Sequence, residues 1–442
     1  MTLVSIARKC RRAVALIGSN PDDSVSRRLS LSGVVAAFRT VRRERRSRAI
    51  RELRFESSGK TSSRGRELLE TCRLVIQQWV SYEISFTEAT DRVQTALEVS
   101  ATSSLAIRDV DQLVRELLSV GIFRGSLSLL KQECERLVNS NSVHNRDAFR
   151  AILASIYVDD LQGAKLRLER LSKQRLLGSD KRAALREVAA FLDVCSGAAV
   201  GITNAQPVTE FRDSQFYEWA SGKDVVFVGP GILTPLAHGS TEDSVVARVA
   251  KEGVMKWAYT DPYQGRCNIA YLNSWTQQRL SSPKEFLKSF DFTVFKMQCP
   301  FYIWQNNLPG NARYVPLCEG VNSLFMSGSA WMAPIAVFDL LLAPFNNVYV
   351  DGIDFFTSPT VLREGNREII DGKVRDERGS LGREFERCES FAAHNPFINR
   401  WIMASMNESK RLKVSDSLFQ LLSDSDENYA TKLENLYGVT RL

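Results

Sequence analysis

No stretch of this chain is apolar for long enough to cross a bilayer. The longest candidate, Trp331 to Pro344, is interrupted by Pro334 and Asp339 and falls short of the roughly 20 apolar residues that a spanning helix needs. No transmembrane helix is therefore expected. The amino terminus lacks an uninterrupted apolar region followed by a small-residue cleavage site, so no secretory signal is expected either. Cysteine occurs eight times (Cys10, Cys72, Cys134, Cys195, Cys267, Cys299, Cys318, Cys388) but never as a C-x-x-C pair. That spacing argues against a zinc site and against a small disulfide scaffold, and favours inert thiols in a reducing cytoplasm. Histidine is scarcer still, with His144, His238 and His394 alone. The Gly-x-Gly-x-x-Gly fingerprint of dinucleotide binding is absent, which disfavours an oxidoreductase.

What is present is ordinary in amount and uneven in placement. The chain has 442 residues, 44% apolar and 25% charged, which suits a globular protein of two domains with sizeable cores. Residues 1–60 hold 15 Lys and Arg against 5 acids, a net of +10, and the rest sums to −3 in a chain whose net is +7. Such a basic arm suits an anionic membrane surface, where each basic residue near the lipid contributes about 1 kcal/mol. A solvated tail is the plainer reading. Phe38 and Phe55 are the arm's only aromatics, too few for the base stacking of a single-strand binder, so nucleic acid has only charge in its favour.

Residues 61–200 read as helical. Leu68, Leu69, Cys72, Val75, Ile76 and Trp79 recur at three-and-four spacing, as do Val110, Leu113, Val114 and Leu117. Breaks at Asn139–Ser142, Asp159-Asp160 and Leu177–Asp180 separate further helices near 143–157, 160–173 and 180–195. Paired antiparallel helices of a solenoid-like module are expected, serving either to dock a partner or membrane or to support the remainder.

A Gly- and Ala-rich linker at Gly197 to Gln206 opens a region, 207–442, of different pattern. Short buried runs (Asp224–Val228, Cys267–Leu272, Phe292–Phe295, Phe301–Trp304, Asn347–Val350) alternate with helices, among them Ala330 to Leu342. This predicts an α/β fold with a Rossmann-like, mostly parallel sheet covered on both faces and a ligand at the carboxyl ends of the strands. Three features fall there. Gly229-Pro230-Gly231 follows the first strand, Ser327-Gly328-Ser329 precedes the apolar helix, and Gly352-Ile353-Asp354-Phe355 follows the next strand, with His394 downstream. Small residues before a helix suit a phosphate, because unpaired N–H groups and the helix dipole both favour an anion. Imidazole suits a general base, since its pKa lies near the working pH.

The order Ser-Gly-Ser, apolar helix, Gly-Ile-Asp-Phe, then His resembles the sialyltransferases of glycosyltransferase families 29 and 42, over residues 222–440. The resemblance implies a glycosyltransferase domain of the GT-A-variant type. It implies inverting, metal-independent transfer of sialic acid or a related 2-keto sugar such as Kdo from a CMP-activated donor to a glycan or glycolipid acceptor, with no further cofactor. Gly229, Pro230, Asn273, Ser327, Gly328, Ser329, Gly352 and Asp354 would contact the donor nucleotide. His394 would be the base, with His238 the runner-up, and Tyr314 would donate to the leaving phosphate as tyrosines do in family 42. The Arg363–Arg387 insert would be a lid over the donor. Val228 stands where the family has Asn, which feeds the alternative of a non-catalytic scaffold protein. The expected location is cytoplasmic, peripheral at the inner membrane face through residues 1–60.

Overall fold

The computed structural model describes residues 60–99, 105–140, 147–174, 178–197, 211–229, 231, 233, 244–249, 263, 265–272, 288–295, 311–314, 324–357, 368–370, 373–375 and 391–438. Residues 1–59 of the basic arm, residues 198–206 of the linker, Pro230, His238, Asn273, His144 and the expected strand Phe301–Trp304 lie outside them. Among the described residues, no helix is long and apolar enough to cross a membrane.

Among the described residues seven helices come first: α1 Ser63–Val80, α2 Phe86–Val99, α3 Ile107–Ser119, α4 Phe123–Asn139, α5 Ala148–Tyr157, α6 Leu161–Ser172 and α7 Ser179–Cys195. α1 and α3 present the apolar stripes read from the sequence: Leu68, Cys72, Val75 and Trp79 of α1 and Val110, Leu113, Val114 and Leu117 of α3 are all buried. The breaks are chemically explicit. Asp160 caps α6 by accepting from the Gly163 N–H at 2.8 Å, satisfying one of the helix's orphan donors.

After α8 (Phe211–Ala220), a seven-stranded sheet forms from β1 Val225–Val228, β2 Val245–Val249, β3 Ile269–Leu272, β4 Phe292–Phe295, β5 Ala312–Tyr314, β6 Val348–Asp351 and β9 Leu412–Val414. Every pairing is parallel, in the order β5-β4-β3-β2-β1-β6-β9. The fold is thus α/β with a Rossmann-like sheet, and its order reverses between β1 and β6. β1, β3 and β4 are buried along their whole length, as strands of a parallel sheet covered on both faces are. α9 (Met332–Leu342) precedes β6, and α10 (Pro396–Asn407) precedes β9. A helix leading into a parallel strand runs antiparallel to it, so both amino termini lie at the sheet's carboxyl edge. α11 (Asp416–Ser423) and α12 (Asp426–Tyr437) close the described chain.

One cluster of buried side chains runs from α1 through the α9 face of the sheet to α12. Phe191 of α7 meets Phe338 of α9 at 5.7 Å between ring centroids, and Tyr157 of α5 meets Trp401 of α10 at 5.4 Å. Under α9 lies a buried charged network. Arg313 grips Asp339 bidentately at 2.7 and 3.1 Å, Tyr271 donates to the same carboxylate at 2.8 Å, and the guanidinium stacks over Phe216. Burial and the neighbouring Asp339 carboxylate hold the Tyr271 hydroxyl well above its ordinary pKa. The described cysteines Cys72, Cys134, Cys195 and Cys267 are free thiols. Burial pushes Cys72 and Cys267 up to about 12.

The Arg363–Arg387 insert, expected as a lid over the donor, carries two short strands. β7 (Glu368–Ile370) and β8 (Lys373–Arg375) pair antiparallel. In the sequence the two strands are separated by Asp371-Gly372, a dipeptide favoured in two-residue hairpin turns.

Candidate active site

The strands end where the order reverses, and there the loops after β1 and β6 lie against each other. Gly229 N–H donates to the Asp351 carbonyl at 2.7 Å and Gly231 N–H to the Gly352 carbonyl at 2.8 Å. The parallel ladder thereby continues past both strand ends. A β-carbon on Gly229 would fall 2.2 Å from the Gly352 oxygen, so this glycine is required by backbone approach. Gly352 holds φ +71, a region that side chains disfavour. These two glycines, read as nucleotide contacts, meet each other, and the N–H groups of Gly229 and Gly231 are already used. Asp354 sits over Gly231, accepts from the Phe356 N–H at 2.9 Å through Oδ1, and its carbonyl accepts from the Thr357 N–H at 2.9 Å.

The next two residues are backbone outliers. Phe355 and Phe356 have φ +44 and +64, and left-handed non-glycine residues cost about 1–3 kcal/mol each. Two tyrosines of α12 hold them there, Tyr429 donating to the Phe355 carbonyl and Tyr437 to the Phe356 carbonyl, each at 3.0 Å. Burial raises the Tyr429 hydroxyl well above its usual pKa, so it remains a donor throughout the neutral range. The rings aim inward: Phe356 packs on Trp331 at 4.7 Å and on Phe391 at 5.4 Å. This aromatic contact joins three segments, those after β6, before α9 and before α10.

Ser327-Gly328-Ser329 and His394-Asn395-Pro396, 65 residues apart, form the other half. Gly328 adopts φ +77, and a β-carbon there would meet the Ala393 oxygen and the Asn395 nitrogen at 2.9 Å each. Ser329 donates its N–H to the Ala393 carbonyl at 2.8 Å, and its Oγ lies 3.0 Å from His394 Nδ1. Asn395 caps α10, its Oδ1 accepting from the N–H groups of Phe397 and Ile398 at 3.0 and 3.3 Å, with Pro396 at the first helical position. No side chain caps α9. The side-chain oxygen of Ser327 and Nδ2 of Asn395 are buried without a hydrogen-bond partner among the described residues. Such orphans cost about 1–3 kcal/mol each.

The sequence-predicted residues therefore divide. Gly229, Gly352 and Asp354 gather at the β1 and β6 loops, Ser327, Gly328, Ser329 and His394 gather beside them, and Trp331, Phe356 and Phe391 bridge the two groups. Tyr314 is not brought there. It ends β5 at the far edge of the sheet, four strands from β1, which at ordinary strand spacing is about 19 Å. Sequence spacing placed it near the Ser-Gly-Ser turn, but strand order decides the distance.

Other residues escaped the sequence reading. Arg248 and Asp351 flank Val228 in register on its two neighbouring strands, and both are buried. Arg248 donates to the Arg266 carbonyl at 2.7 Å. A charge inside the run Val245-Val246-Ala247-Arg248-Val249 is the signal that marked it. Tyr157, from α5, bonds the backbone just before the turn: its hydroxyl donates to the Leu324 carbonyl and accepts from the Met326 N–H at 2.9 Å. No family model, curated protein or solved structure was found to match the chain.

Proposed function

We propose that the chain is an inverting glycosyltransferase that moves sialic acid or a related 2-keto sugar such as Kdo from a CMP donor to a hydroxyl of a glycan or glycolipid, without a metal. One observation carries this reading. Ser329 and His394, brought to 3.0 Å across 65 residues, lie at the carboxyl edge of a parallel sheet beside its order reversal, where α/β proteins bind ligands. In the proposed mechanism His394 takes the acceptor proton as the hydroxyl oxygen attacks the anomeric carbon. The bond from that carbon to the phosphate oxygen breaks, and CMP leaves with the electron pair. The Ser327 hydroxyl and the uncapped start of α9 would face the charge growing on the phosphate, where fixed dipoles stabilise most.

On this reading the sheet region is a GT-A-variant domain and the seven leading helices a solenoid-like support for it. Residues 1–60 would hold the protein to the cytoplasmic face of an anionic membrane. Thermal-shift measurements with CMP, CDP, UDP, GDP and NAD test the donor, because a ligand bound only by the folded chain raises its stability by mass action. Selective stabilisation by CMP is the expected result, and equal responses to all five would sink the reading. A second reading, a scaffold protein that has lost activity, draws on Val228, whose side chain offers no polar contact where the family has Asn. It would gain if CMP bound while neither CMP-sialic acid nor CMP-Kdo was turned over.

A further inference from the structure

We infer that Asn399 is a positioning residue that holds His394 in the tautomer with the proton on Nδ1, leaving the ring's lone pair on Nε2. The inference begins with an amide whose orientation has no freedom. Asn399 is fully buried on the first turn of α10. Its Oδ1 accepts from the Trp331 N–H at 2.8 Å, and its Nδ2 donates to the carbonyls of Asn395 at 2.8 Å and Ser329 at 3.4 Å. A backbone N–H can only donate and a carbonyl can only accept, so a flipped amide would oppose all three contacts. Asn399 therefore clamps the backbone from Ser329 to Trp331 from both sides.

The clamped Ser329 carbonyl faces His394 Nδ1 at 3.2 Å, while the Ser329 hydroxyl lies 3.0 Å from the same nitrogen and 3.3 Å from the Ala393 carbonyl. Two proton arrangements are conceivable. With the proton on Nδ1, the ring donates to the Ser329 oxygens and the hydroxyl donates to Ala393, so both of these donors meet an acceptor. With Nδ1 bare, the hydroxyl must turn to it, the Ala393 carbonyl loses that donor, and the Nδ1 lone pair points at a carbonyl lone pair. Around Nδ1 the first arrangement satisfies more groups, and it depends on the carbonyl that Asn399 holds. Use of the Nε2 lone pair to accept a proton from a sugar hydroxyl rests on the glycosyl-transfer reading; the tautomer itself does not.

The test separates the two. The full chain is labelled with ¹⁵N-histidine, and with three histidines the His394 ring nitrogens are assigned by their loss in His394→Gln. Above the imidazole pKa, the ring ¹⁵N shifts should report the Nδ1–H form in the unmodified protein and in Ser329→Ala, which keeps the carbonyl. Asn399→Ala should lower the ratio of Nδ1–H to Nε2–H forms at least about fivefold, the equivalent of one ordinary hydrogen bond. An Nε2–H form in the unmodified protein would overturn the inference, as would an unchanged ratio in a folded Asn399→Ala. Should that variant fail to fold, the near-isosteric Asn399→Leu fills the same volume without the amide and adds no charge, and an unchanged ratio there counts equally against Asn399. Loss of CMP stabilisation with the tautomer intact would instead count against the glycosyl-transfer reading alone.

Discussion

The two edges of the sheet solve the same problem in opposite ways. At the amino edge, polar groups close on one another: Asp224 accepts both the backbone N–H and the side-chain amide of Asn347 at 3.1 and 3.0 Å, Asn268 bridges Val246 and Asp291 at 2.9 and 2.8 Å, and Asn346 donates to the Gly222 carbonyl at 2.8 Å. Arg411 seals the end of α9 by donating to the carbonyls of Leu341, Ala343 and Phe345. At the carboxyl edge the chain instead accepts left-handed Phe355 and Phe356 and leaves Ser327 Oγ and Asn395 Nδ2 without partners among the described residues. Strain and orphaned polar groups persist where the surrounding structure imposes them, and they gather at functional sites. This difference is the ground on which the proposed site is placed at the carboxyl edge.

If that contrast is functional, substitutions at the two edges should separate activity from stability. His394→Ala should lower turnover of the CMP-sugar by about 10²–10⁴-fold, the usual contribution of a positioned general base, with the CMP thermal shift nearly unchanged. Near-normal turnover in that variant would move the base elsewhere. Away from this edge, Asp339→Ala strands Arg313 in the core and should cost about 3–5 kcal/mol of unfolding free energy in denaturant titration. Its CMP affinity, measured where the variant is folded, should be retained.

Smaller effects sharpen the same line. Gly328→Val places a side chain at φ +77 against Ala393 and Asn395. Beyond the steric clash, the left-handed backbone alone should cost about 1–2 kcal/mol, and CMP stabilisation should fall together with melting temperature. Asp224→Ala at the amino edge should cost about 1–3 kcal/mol and leave the CMP shift alone; a matching loss of CMP binding would erase the contrast between edges. The smallest effect concerns pH. Burial raises the Glu434 carboxyl despite its contacts with Arg124, whose backbone N–H and Nε donate at 2.7 and 2.5 Å. The folded chain thus holds this proton more tightly than the unfolded one. Its stabilising contribution is complete below the unfolded carboxyl value, near 4.3, and is lost as pH rises through the raised folded value. Glu434→Gln should flatten that part of the stability profile in melting experiments across pH.

How much of this was legible follows from which forces are local. Buried runs such as Val225–Val228 and Phe292–Phe295, and the helices of residues 63–195, announce themselves through composition and period, and the structure has them within a few residues. β2 was hidden by Arg248 within its apolar run, and β9 by being three residues long with Lys413 at its centre. The resemblance gave the Ser-Gly-Ser turn and His394 separate roles, and the contact between Ser329 and His394 is visible only in the structure. The residue that clamps it, Asn399, gave no sign, because an amide in a helix sequence carries no mark of the carbonyl it will meet. Tyr314 shows a further limit: its three-residue strand carries no periodicity to read, and its place at the far edge is set by a strand order that sequence does not give.

The hydroxyl of Tyr157 has a consequence for anyone reading genetic variation in this protein. It belongs to α5, in a part of the chain where no chemistry was expected, yet it spans the Leu324 carbonyl and the Met326 N–H immediately upstream of Ser327. A variant at codon 157 would therefore behave as an allele of the loop rather than of the helix. Complementation experiments that supply residues 61–200 and 207–442 as separate polypeptides should recover function only where the two halves reassociate tightly enough to restore that one phenol.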